Sequence, residues 1–245
     1  FEEPALAEYP GAVVGLGEIG GVIDRLKAAG CRDIVFAGIV NRPNFKDLKL
    51  DMRGAMLLPK VVSEARKGDD ALLKVLVREF EKQGFNVIGS EEANKALLAP
   101  AGLIAGPHPT EENLADIRHA AKVASATGAL DIGQGCVVCD GLVLAVEAQE
   151  GTDEMLRRCA TLPAAIRGKP GARRGVLAKR PKPAQERRID LPTTGVSTVE
   201  LVAAAGLAGL AVEAGGALLL RRAEMEAAAD RLGVFIYGFS PDEAS

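Results

Sequence analysis

Residues 33–40 read D-I-V-F-A-G-I-V, an almost unbroken apolar run without polar alternation. A strand of that kind has to be covered on both faces, as it is inside a parallel sheet flanked by helices. Just before it, Val22, Ile23 and Leu26 share one helical face and Gly30 suits a helix C-cap. Residues 12–14 are a short apolar strand candidate ahead of that helix. Strand, helix and strand predict a right-handed β-α-β unit, hence a Rossmann-like N-terminal domain. Helices over 54–67, 69–83 and 91–98 and a strand at 86–88 follow from the same periodicities.

Residues 99–110, A-P-A-G-L-I-A-G-P-H-P-T, interrupt the pattern with three prolines and two glycines, a composition suited to a linker. Thr110 then starts a helix to about residue 127, with Glu112 or Asn113 near capping-box spacing. Beyond it, Asp140-Gly141 is a strong two-residue turn signal between two apolar runs, predicting a hairpin. Residues 209–213 and 217–220 read as a second hairpin, turning at 214–216. The expected fold is α/β, with two α/β domains: a Rossmann-like domain over 1–99, a linker over 100–110 and a catalytic domain over 111–245.

Composition narrows the function. A net charge of −3 argues against a broad basic surface for nucleic acid, and nine aromatic residues (7 Phe, 2 Tyr, no Trp) supply few base-stacking platforms. The 4 cysteines do not suggest a disulfide framework. Cys136 and Cys139 have C-x-x-C spacing, but on a strand they point to opposite faces, so reduced thiols fit better than joint metal ligation. With 2 histidines, one in the linker stretch and one on an apolar helix, no Ser-His-Asp or HExxH arrangement is supported. No apolar run reaches the roughly 20 residues of a membrane-spanning helix.

Two segments concentrate chemistry. Residues 146–153, V-E-A-Q-E-G-T-D, put Glu147 at a strand end and Thr152 and Asp153 at a helix start beside free backbone amides. Residues 179–198, K-R-P-K-P-A-Q-E-R-R-I-D-L-P-T-T-G-V-S-T, combine Lys179, Lys182, Gln185, Arg188 and Asp190 on irregular backbone. Cations hold phosphate, and carboxylates hold a divalent metal or activate water. Asp190 lies between Ile189 and Leu191, so a partner such as Arg188, Lys182 or a metal is expected there. Gly15, Gly17 and Gly20 match G-x-G-x-x-G. The acidic residue that should follow the next strand is replaced by Asn41-Arg42-Pro43.

D-I-G-Q-G-C-V-V (131–138), A-V-E-A-Q-E-G-T-D-E-M-L (145–156), residues 179–199 and A-G-L-A-G-L-A-V-E-A-G-G (205–216) resemble the UDP-2,3-diacylglucosamine pyrophosphatases of lipid A biosynthesis, the form unrelated to calcineurin-like phosphoesterases. The resemblance implies a Mg²⁺-dependent hydrolase that splits the substrate into UMP and 2,3-diacylglucosamine 1-phosphate (lipid X). It implies Asp190 as the catalytic carboxylate, with Asp153 and Glu147 as further candidates. Asp190 and Asp153 would hold the metal. Gln134, Gly151, Thr152, Lys179, Lys182, Gln185, Arg188, Thr198 and Asn41 would bind substrate. The family favours Asp where this chain has Glu186, so that position receives no role. Family members begin with a strand and glycine-rich turn that would lie upstream of Phe1. The partners expected are the glycolipid nucleotide and, transiently, the inner-membrane surface from a cytoplasmic location, with no nucleic acid; a homodimer is left open. The apolar segment 201–220 would line an acyl groove or simply be core. The alternatives are an NAD(P)-dependent oxidoreductase built on the glycine turn and a non-catalytic carrier of nucleotide-sugars or lipids.

Overall fold

The computed structural model describes residues 6, 8–38, 44–45, 47–66 and 68–244. Asn41 lies outside the described residues. The chain divides into two compact units, 1–88 and 89–245.

The first unit contains α1 (Ile19–Ala28), β1 (Asp33–Val35), α2 (Met52–Ala65), α3 (Asp69–Lys82) and β2 (Asn86–Ile88), with β1 and β2 paired in parallel. Two expectations fail here. Residues 12–14 are not a strand, and Val13 is 76% exposed. Strand β1 spans three residues that alternate exposed, buried, exposed, so it is not covered on both faces. Phe36 leaves the strand and packs edge-on against Phe80, their centroids 5.2 Å apart. Gly17 does need to be glycine, because a Cβ there would lie 2.3 Å from the Lys49 carbonyl oxygen. The Asp51 carboxylate accepts hydrogen bonds from Gly54 N (2.7 Å) and Gly21 N (2.9 Å). The Gly54 amide, foremost among several, holds Asp51 below the usual carboxylate range. An internal carboxylate therefore takes an amide of the α1 first turn, the place a cofactor phosphate would occupy in a dinucleotide fold.

The second unit comprises α4 (Ser90–Ala93), β3 (Gly102–Ala105), α5 (Glu111–Ala129), β4 (Gly135–Cys139), β5 (Leu142–Val146), α6 (Gly151–Ala160), α7 (Ala164–Arg167), β6 (Gly168–Lys169), β7 (Ala172–Arg173), β8 (Val176–Lys179), β9 (Thr193–Thr194), α8 (Val196–Ala204), β10 (Gly209–Glu213), β11 (Leu218–Leu219), α9 (Arg222–Leu232) and β12 (Phe235–Phe239). Its main sheet has the order β3-β12-β10-β8-β4-β5. Strands β8, β10 and β12 run parallel, while β3 and β4 are antiparallel to their neighbours. Helices α6, α8 and α9 cover one face through Met155, Leu156, Val199, Val202, Met225 and Ala228. Helix α5 covers the other through Ile117, Ala120, Ala121 and Ala124.

Local signals are accurate in this unit. Thr110 caps α5, its hydroxyl accepting from Asn113 N (3.3 Å) while Asn113 Oδ1 accepts from Thr110 N (3.2 Å). Asp140 and Gly141 have φ of +51° and +78°, as a type I′ hairpin requires. The residues expected to be a linker contain β3, an edge strand paired with β12. The expected second hairpin is absent. Strand β10 has β8 on one side and β12 on the other, so no edge remains for 217–220, and β11 pairs with β9 instead. The segment 201–220 is largely core, with Val202, Ala205, Leu207, Leu210 and Leu219 all at or below 1% exposure.

Candidate active site

Three parallel strands, β8, β10 and β12, end on one rim of the sheet, the position at which open α/β sheets bind ligands. Antiparallel β4 starts there and β5 ends there, because Gly135 is registered with Lys179 and Cys136 with Val146. Chain connectivity thus delivers Gln134, Glu147, Lys179, Arg180 and Glu213 to a single edge. The loop 180–192 and the first turns of α6 and α8 begin at the same edge.

Lys179 organises the face covered by α6 and α8. It is 4% exposed and donates from Nζ to Thr152 Oγ1 at 2.7 Å and to the Thr193 carbonyl at 3.4 Å. The Thr152 hydroxyl in turn donates to Glu147 Oε1 at 2.8 Å. Burial pushes the Lys179 ammonium below the ordinary lysine value, while Glu147, then Asp153, then Asp190 favour its charged form. A cation and three carboxylates from four separate segments therefore share one electrostatic site. The geometry explains why Asp190 can be half-buried between apolar neighbours: it lies in the field of a buried cation.

Two glycines make room for Glu147. A Cβ at Gly135 would sit 2.6 Å from Glu147 Oε2, and one at Gly133 would sit 2.0 Å from the Glu147 carbonyl oxygen. The G-Q-G sequence lets this buried glutamate lie against the start of β4. Gly151 opens α6 with φ +75°, a left-handed turn that favours glycine.

The remaining expected residues fall around this centre. Lys182 Nζ donates to Asp131 Oδ1 at 2.7 Å, and Lys182 N donates to Gln185 Oε1 at 2.8 Å. Arg188 makes a two-pronged ion pair with Glu186, at 2.9 Å for both Nε–Oε1 and Nη2–Oε2. That gives Glu186 a structural task sequence reading had not assigned. Thr198 is buried in the first turn of α8. Arg180 and Glu213, missed in the sequence, form an ion pair with Nη2 2.9 Å from Oε2. For Glu213 a signal was available, as a charge directly following the apolar run 210–212, whereas Arg180 stands behind Lys179.

Six buried side-chain atoms among the described residues have no hydrogen-bond partner in the chain, and five belong to this rim: Gln134 Oε1, Glu147 Oε2, Arg180 Nε, Gln185 Nε2 and Glu213 Oε2. An orphaned buried polar atom costs about 1–3 kcal/mol. Their concentration at one edge leaves donors and acceptors there that water or a polar ligand can satisfy. Cys136 and Cys139 take no part, since burial raises their thiols to about 12 and about 11.

The model of the LpxI N-terminal domain matches residues 2–97, and that of the LpxI C-terminal domain matches residues 100–237. The chain belongs to the LpxI family. It is 54% identical over 243 residues, 99% of its length, to the UDP-2,3-diacylglucosamine pyrophosphatase LpxI of Caulobacter vibrioides, and covers 87% of that protein. The family resemblance carried by 131–138, 145–156, 179–199 and 205–216 is thus borne out. All four segments supply rim residues: Gln134, Glu147, Lys179 with Arg180, and Glu213.

Proposed function

We propose that this chain hydrolyses the pyrophosphate bond of UDP-2,3-diacylglucosamine, giving UMP and 2,3-diacylglucosamine 1-phosphate, in lipid A biosynthesis. The observation that carries the reading is the buried Lys179, held by Thr152 and Thr193 in the field of Glu147, Asp153 and Asp190, on a rim where five buried polar atoms lack a hydrogen-bond partner. Family membership and the 54% identical pyrophosphatase supply the substrate.

In this reading the Lys179 ammonium, fixed by Thr152 and Thr193, faces the diphosphate and offsets charge on the phosphoryl oxygens as the anhydride breaks. Asp190 accepts the proton of the attacking water or orients it. Lys182 exchanges Asp131 for a phosphate oxygen, a trade between two charge-assisted hydrogen bonds. Asp153 and Asp190 would hold Mg²⁺, an ion that commonly takes only one or two protein carboxylates. Among the described residues no three His, Cys, Asp or Glu side chains are grouped closely enough to hold a metal ion by themselves, so the substrate's phosphates would have to supply part of its shell. When bound, Mg²⁺ would neutralise the diphosphate and polarise its bridging region. Among the described residues no helix is long and apolar enough to cross a membrane, and the acyl chains are met by transient contact with the inner-membrane surface.

The test is UMP release from purified protein and UDP-2,3-diacylglucosamine with Mg²⁺, with and without EDTA. Release that EDTA stops and excess Mg²⁺ restores is the expected result. Absence of UMP under all conditions would leave only a carrier role.

A further inference from the structure

The rim has a second polar row, on the α5 face of the sheet and so opposite Lys179. Gly135 is registered with Lys179 across the antiparallel β4–β8 ladder, which makes Gln134 the neighbour of Arg180, and Arg180 N donates to the Gln134 carbonyl at 3.0 Å. Val212 is registered with Lys179 across β8–β10, which makes Glu213 the neighbour of Arg180 on its other side. Two residues in from the rim on each strand, Cys136, Ala178 and Ala211 all belong to the core under α5. Strand alternation therefore sends Gln134, Arg180 and Glu213 to that same face, side by side.

Each of the three has one unpartnered buried atom: Gln134 Oε1, Arg180 Nε and Glu213 Oε2. The Arg180–Glu213 contact of 2.9 Å lacks the alignment a hydrogen bond needs, so Oε2 stays open to a better-directed donor. Their side chains retain 16% and 8% exposure, enough for a ligand edge to reach them.

The row asks for two donors and one acceptor from a compact group. A phosphate offers acceptors alone and would face two oxygens, one of them anionic. A divalent cation would suit Gln134 and Glu213 but not the adjacent guanidinium. The uracil imide carries a single N–H. A vicinal diol fits: one hydroxyl donates to Gln134 Oε1, the other to Glu213 Oε2, and a lone pair accepts from Arg180 Nε.

We infer that Gln134, Arg180 and Glu213 form a subsite for a vicinal diol, which in the proposed substrate is the ribose of the uridine moiety. The inference rests on the proposed function for the identity of that diol. In diacylglucosamine the 2 and 3 positions are acylated, so the sugar presents no adjacent pair of free hydroxyls. The diphosphate then extends from the ribose across the end of β8 toward Lys179.

The experiment is calorimetric titration of the full chain with UMP, 2′-deoxy-UMP and 3′-deoxy-UMP. Each deoxy form is expected to bind at least about tenfold more weakly, because it leaves one buried acceptor unpaired. In Gln134→Ala and in Glu213→Gln the preference should shrink toward unity for one deoxy form each. Gln134→Ala leaves the ion pair intact and serves if the Glu213 variant does not fold. Equal binding of all three nucleotides, no UMP binding at millimolar concentration, or an unchanged ratio in folded Gln134→Ala would overturn the subsite. UMP release from the full substrate is measured separately, so failure of the diol subsite and failure of the hydrolase reading give different results.

Discussion

Lys179 Nζ lies 2.7 Å from Thr152 Oγ1, a hydrogen bond that ties the end of β8 to the first turn of α6 across 27 residues of sequence. Through Thr152 the link reaches Glu147 Oε1, so an ammonium, a hydroxyl and a carboxylate are held in one chain at the rim.

Lys179→Met should lower kcat for UMP release by roughly 10²–10³-fold, the scale of losing one preorganised charge-stabilising donor. The wild-type alkaline limb should lie below the ordinary lysine value of 10.5, since burial depresses this ammonium and activity needs it charged. Stability has its own sign. Between the depressed folded value and 10.5 the unfolded chain binds more protons, so stability rises with pH through that window. Lys179→Met should abolish this rise, as read from urea midpoints against pH.

Asp190→Ala is expected to reduce turnover by roughly 10²–10⁴-fold, the range for removing a general base. Substrate affinity should be retained. Equilibrium binding of intact substrate beside single-turnover hydrolysis checks both halves, and wild-type kcat in the variant would remove Asp190 from the mechanism.

The glycines beside Glu147 should differ in kind. Alanine at Gly133 meets backbone, with 2.0 Å to the Glu147 carbonyl oxygen, and should cost about 1–3 kcal/mol of stability. Alanine at Gly135 meets the movable carboxylate at 2.6 Å, so its main effect should be on kcat. Thermal melts and UMP release on both variants separate the cases; equal melting losses would contradict the assignment.

Asp116 is 3% exposed on α5, and its carboxylate accepts from Asp140 N (2.9 Å) and Gly141 N (2.8 Å), pinning the β4–β5 turn. Asp116→Ala strands both amides and should destabilise by about 1–3 kcal/mol. At this chain length that is about 2–4 °C of melting temperature per kcal/mol. Hydrogen exchange should rise first at Asp140 and Gly141.

What was legible in the sequence was local. The Asp140-Gly141 turn and the Thr110 cap depend on neighbouring residues, and each appears where its signal stands. The residue types at the site were legible too, because Lys179, Glu147, Asp153 and Asp190 are ionisable groups on strand ends, helix starts and irregular backbone. Hidden from the sequence were the pairings. Leu103 finds its partner at Tyr237, far along the chain, so a strand between prolines passes for a linker. The glycine turn after β10 is real, with Gly215 at φ +67°, yet no hairpin forms because β8 and β12 already satisfy both edges of that strand.

The amino-acid order by itself determined which segments bend, which are apolar and which carry charge, since φ preference and hydrophobic periodicity act over a few residues. Tertiary structure alone decided that Thr152 faces Lys179, that Glu147 rests on two glycines, and that Gln134, Arg180 and Glu213 stand in a row. Those relations are fixed by ladder register and by burial of the core on both sides of one sheet, and both arise between segments distant in the chain.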